Sequence, residues 1–74
     1  MRGAMASDAD REVAIEAFVQ ALASLLEANR DGTASVAHRA SVAVARARVE
    51  PLVDARQYGE AVFRAFRLAG LEAG

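Results

Sequence analysis

The 74-residue chain contains no cysteine, no tryptophan and no lysine, and only one proline and one histidine. Without cysteine there is no disulfide framework, and a single histidine leaves no Cys/His set for a structural zinc. Those are two of the usual supports of small domains, whose apolar burial roughly balances the conformational entropy lost on folding, so oligomerisation is the support left. The net charge of −1 is far from the strongly basic balance expected of a nucleic-acid binder. No apolar run approaches the ~20 residues needed to span a bilayer, and Met1 to Ser7 has no apolar central region of the signal-peptide kind. The expectation is a soluble, cytoplasmic chain with no membrane partner and no cofactor.

What the sequence has in abundance is alanine, 19 residues, and arginine, which supplies all nine basic positions. That bias is consistent with a GC-rich bacterial genome or its phage. Charge is unevenly spread. Residues 1–32 hold six acids against three arginines, and the remainder six arginines against four acids.

The longest regular pattern is Asp8 to Asn29. At 100° per residue, Ala14, Ile15, Phe18, Val19, Ala21, Leu22, Leu25, Leu26 and Ala28 fill about half the circumference, and Glu12, Glu16, Gln20, Ser24 and Glu27 the other half. One flank of the apolar side is small (Ala14, Ala17, Ala21, Ala28) and the other bulky (Ile15, Val19, Leu22, Leu26), so this helix calls for two neighbours. Ser7 and Asp10 have capping-box spacing, and Asn29-Arg30-Asp31-Gly32 is a helix stop. A second helix, capped by Thr33 or Ser35, runs to Glu50 before Pro51, which breaks or kinks it.

The second helix has two apolar sides. Val36, Ala37, Ala40, Ala43, Val44 and Ala47 match the alanine flank of the first helix and predict a close antiparallel hairpin. His38, Val42, Ala45 and Val49 form a second stripe, expected to stay open and meet its symmetry mate in a two-fold dimer. A last helix from Gln57 or Tyr58 to Ala69 should turn Tyr58, Val62, Phe63, Phe66 and Ala69 inward, pair Glu60 with Arg64, and close on Gly70 and Leu71. The expected fold is all-α: a three- to four-helix bundle in one domain over residues 7–71, with a disordered or cloning-derived segment at 1–6 and a tail at 72–74. Phe18, Leu22, Leu25, Val62 and Phe66 are its expected core.

Candidate chemistry is sparse. His38, the one side chain titrating naturally near neutrality, has no companion nucleophile, carboxylate or ligand within its stripe, and the plainer reading is an interface or surface histidine. Glu12 and Glu16 lie one turn apart as paired carboxylates can, but in the middle of the polar arc, so a solvated face is expected. Arg39 and Arg46 share one edge of the second helix and Arg48 lies on the other, with no aromatic interleaved for base stacking. No phosphate loop and no Ser/His/Asp or Cys/His set is present. Tyr58-Gly59-Glu60-Ala61-Val62, preceded by Leu52, resembles the start of the second helix of a tetratricopeptide repeat. It occurs once, with Ala65 at the aromatic position, whereas an array needs several copies.

The pattern therefore points to a non-enzymatic protein-protein interaction module for docking, adaptor or regulatory use, self-associating as a dimer and carrying a further protein partner. One alternative is a nucleic-acid-associated or transcription-regulating dimer that aligns Arg39, Arg46 and Arg48. Another is a phage-type inhibitor of a host protein.

Overall fold

The computed structural model describes residues 7–71, so the expectations for residues 1–6 and 72–74 lie outside it. The described chain is all-α, with helices α1 (Asp8–Arg30), α2 (Val36–Val49) and α3 (Ala55–Leu68) and a 3₁₀ turn, Glu50–Leu52, between the last two. Among the described residues there is no strand.

Each helix begins on a reciprocal cap, in which one side chain accepts from a free amide and another accepts from the cap's own amide. Ser7 and Asp10 do this for α1, Ser35 and His38 for α2, and Asp54 and Gln57 for α3. α1 and α3 both end in Schellman turns on glycines with positive φ, Gly32 (74°) and Gly70 (76°). In the first, Gly32 N–H donates to the Asn29 carbonyl and Thr33 N–H to Ala28. In the second, Gly70 donates to Arg67 and Leu71 to Phe66. Pro51 sits inside the 3₁₀ turn, where its missing N–H costs nothing, and the chain leaves it extended at Val53 before Asp54 restarts the helix. The proline is thus a break, and α3 starts at Ala55, two or three residues earlier than its apolar pattern suggests.

α1 is the common support: α2 and α3 both pack against it and scarcely touch each other. The buried cluster joins Phe18, Val19 and Ala23 of α1, Ala45 and Val49 of α2, and Ala61, Ala65 and Ala69 of and just after α3. Phe18, 1% exposed, is its largest member and stacks on Tyr58 with ring centroids 5.2 Å apart. Two arginines of α1 add long-range hydrogen bonds. Arg11 Nε donates to the Leu52 carbonyl at 3.1 Å, and Arg30 Nη1 donates to the Ala69 carbonyl at 2.7 Å, capping the C-terminal end of α3.

Several inward faces differ from expectation. Ala45 and Val49 are buried and Val42 packs against the core, so the stripe His38, Val42, Ala45, Val49 faces into the molecule instead of lying open for a partner. Each side of α2 carries two valines, so side-chain area alone does not choose between them; Val49 and Ala45 join the cluster centred on Phe18, and Val36 and Val44 are left outside. On α3 the alanine arc is inside, while Phe63 (58% exposed) and Phe66 (37%) are outside. Leu22, Leu25 and Val62 are only half-buried. Arg64 pairs across to Glu16 of α1 at 3.0 Å, and Glu60 pairs back to Arg56 at 3.6 Å.

Candidate interaction surfaces

With its bulky stripe turned inward, α2 presents Val36 (79% exposed), Ala37, Ala40, Ala43, Val44 (50%) and Ala47 to the outside. These residues cover about a third of the helix circumference with no polar side chain among them. The surface continues onto α1. An open groove between the two helices is lined by Ala14, Ala17 and Ala21 on one wall and Ala40, Ser41, Val44, Ala45 and Arg48 on the other. A second depression, around Gln20, Ser24, Ala37 and His38, lies towards the hairpin turn. No residue of α3 lines either one. Val13, 70% exposed, lies one turn before Ala17 on the same side of α1. Small residues on both walls keep the surface shallow, which suits close approach of another helix.

The charges of the two helices are opposite. α1 carries five acids against two arginines, and four of those acids, Asp8, Asp10, Glu12 and Glu16, lie in its first half. α2 carries three arginines and no acid, with Arg46 and Arg48 in its last turn. Since the hairpin is antiparallel, the acidic half of α1 lies beside the basic end of α2, and Ala14 of the one and Arg48 of the other line the same groove.

The third surface is the outer side of α3. Phe63 and Phe66 project there beside Gly59, at which an added Cβ would meet nothing within 4 Å. The Arg67 guanidinium carbon lies 5.8 Å from the centroid of the Phe63 ring, a cation-π distance. Glycine inside an exposed helix costs about 1 kcal/mol relative to alanine, and no contact within the described chain requires it here.

The single candidates of the sequence fall into structural roles. His38 Nδ1 lies 3.2 Å from the Ser35 amide and 2.9 Å from its hydroxyl, so the imidazole is the reciprocal acceptor of the α2 cap. Glu16 accepts from Gln20 at 3.2 Å and from Arg64 at 3.0 Å, and these bonds hold its carboxyl below the ordinary carboxylate range. Glu12 makes no metal cluster with it: among the described residues no group of three His, Cys, Asp or Glu side chains could hold an ion. Arg46 donates to Glu50 at 2.9 Å, which raises its pKa further, while Arg48 lines the groove on the other edge of the helix. Within one chain, Arg39, Arg46 and Arg48 therefore do not form a single strip.

Among the described residues no charged or polar side chain is buried, and no helix is long and apolar enough to cross a membrane. The sequence does hold the Asp54/Gln57 cap as an Asp-x-x-Gln spacing, masked by the proline three residues earlier. The Arg11 and Arg30 bonds have no sequence signal, because they depend on where the chain returns. In comparisons with known proteins, the chain matches no family model, no curated protein and no solved structure.

Proposed function

We propose that the protein is a small helical interaction module that self-associates through the open face of the α1–α2 hairpin and serves as a docking, adaptor or regulatory piece. The observation that carries this reading is the continuous apolar outer side of α2, with Val36 and Val44 more than or about half exposed and adjoining the alanine groove. Contiguous apolar surface rimmed by charge is characteristic of protein contact sites, and here it spans the whole length of a helix. Covering it completes a four-helix arrangement around the hairpin, the finer form of the all-α fold.

Light scattering coupled to size exclusion at tens of micromolar tests it. A mass well above 7.8 kDa is expected for the unmodified chain, and Val44→Asp should lower it while leaving the helical circular dichroism intact. A folded chain that stays at 7.8 kDa overturns self-association.

A further inference from the structure

The open α1–α2 face fixes more than the existence of a contact. Resting on the reading above, we propose that its occupant is a second copy of the chain, docked about a two-fold axis parallel to the helices so that α1 of each copy lies over α2 of the other. Two hairpins can stack face to face in two simple two-fold ways. With the axis across the helices, α1 meets α1 and α2 meets α2. That operation reverses height, so the acidic start of α1 lies over the partner's α1 end, which holds Glu27 and Arg30, and the Arg48 end of α2 lies over the partner's α2 start, which holds no acid. That mode gives Arg48 no acid to meet, so it gains little from the charge difference between the helices.

With the axis along the helices, opposite charges do meet. Each α1 crosses over the partner's α2 and every neighbouring pair of helices is antiparallel. The operation preserves height along the hairpin. The start of α1, with Asp10 on the same side of the helix as Ala14, Ala17 and Ala21, then falls over the end of the partner's α2 where Arg48 lines the groove. These helices would be separated by about 8 to 10 Å, within the ~8 Å to 10 Å screening length of physiological salt, so the charges remain effective across the contact. Residues at one height along the groove, such as Ala17 and Val44, would face each other across the two copies. α3 lines neither part of the open face, so this docking leaves its outer side uncovered.

The absence of native cysteine makes a cross-linking test clean. Ala17→Cys and Val44→Cys each place a thiol at an exposed position of the face, and each variant is prepared separately, oxidised alone, and oxidised after mixing the two. A mixed disulfide should dominate in the mixture, with only traces of dimer from either variant alone. Homodisulfides of either variant in place of the mixed species overturn the crossed arrangement, even if light scattering shows a dimer. A mass of 7.8 kDa for the reduced, folded variants and the unmodified chain overturns the self-association beneath it instead. Circular dichroism of each variant confirms folding, and raising the salt concentration should weaken a dimer held in this register.

Discussion

α2 and α3 have the same length, 14 residues, and rest on the same support, yet they divide their side chains in opposite ways. α2 turns Val42, Ala45 and Val49 inward and shows Val36 and Val44 among alanines, whereas α3 turns alanine inward and shows phenylalanine. The difference is one of how each seam is closed. At α2, Val42 and Val49 interdigitate with α1, and burial of branched side chains supplies the attraction. At α3, Ala61, Ala65 and Ala69 bring the backbone close to Val19 and Ala23 of α1, and less area is buried per side chain. That seam is supplemented by Tyr58 on Phe18, by Arg64 on Glu16 and by Arg30 on the Ala69 carbonyl.

The largest effect expected in this comparison is at the residue both seams share. Phe18→Ala removes the side chain that stacks on Tyr58 of α3 and sits in one cluster with Val49 of α2, and should cost about 3 to 5 kcal/mol. In a domain whose total stability is on the order of 5 kcal/mol, that is enough to unfold much of the population. Urea denaturation followed by circular dichroism measures it. A loss under about 1 kcal/mol would mean that the two seams do not depend on a common centre.

The next contrast separates close approach from interdigitation. Ala65 is fully buried, and Ala65→Leu inserts volume where α3 meets α1, so an overpacking cost of about 1 to 3 kcal/mol is expected. Phe63→Ser, on the outer side of the same helix and 58% exposed, should change stability by no more than about 0.5 kcal/mol. If the serine proves the more damaging of the two, α3 is oriented by its aromatic side after all.

These two helices also show where the sequence was legible and where it was not. The all-α class, the Ser7 cap and both glycine stops follow from local chemistry within four or five residues, and the structure has all of them, whereas local chemistry left Pro51 as either a break or a kink and the structure has the break. Phe18 stands at the centre of the longest apolar arc, and it is buried. Rotation of α2 and α3 about their own axes is different, because each offers two apolar arcs and local hydrophobicity cannot choose between them. On α2 each side carries two valines, and the fit of alanine to alanine suggested one side while the structure buries the other. On α3 the phenylalanines outweigh the alanines in any hydropathy sum. The rotation is instead held by partners distant in sequence: Tyr58 against Phe18 and the Ala69 carbonyl against Arg30. The open α1–α2 face was hidden for the same reason, since it became visible only once the inner face of α2 was known.

A smaller effect isolates the polar part of the α3 seam. Arg30→Met keeps an aliphatic stem but removes the donor 2.7 Å from the Ala69 carbonyl, and should cost about 1 kcal/mol, the usual net worth of a partly buried hydrogen bond. Hydrogen exchange should locate the loss. The amides of the closing turn of α3, Gly70 and Leu71, should exchange faster, with those of α2 unchanged.

The smallest effect concerns the exposed bridge over the same seam. Glu16 accepts from Gln20 and from Arg64, and in that order these bonds lower its carboxyl below the ordinary 4.5. A carboxyl whose folded value is depressed contributes stability that is fully present above its unfolded value and is lost as pH falls through the folded one. The contribution should therefore hold at neutral pH, begin to fade near pH 4.5 and disappear further into acid. Both partners are about half exposed, Arg64 at 50% and Glu16 at 55%, so solvent screening limits the bridge to a few tenths of a kcal/mol. Other carboxylates titrate over the same range, so the quantity to measure is the difference in melting temperature between the unmodified chain and Glu16→Gln. That difference should be small and positive at pH 6 and vanish towards pH 3. A difference that grows in acid would have the wrong sign and would show that Glu16 is not stabilised by Arg64 in the folded chain.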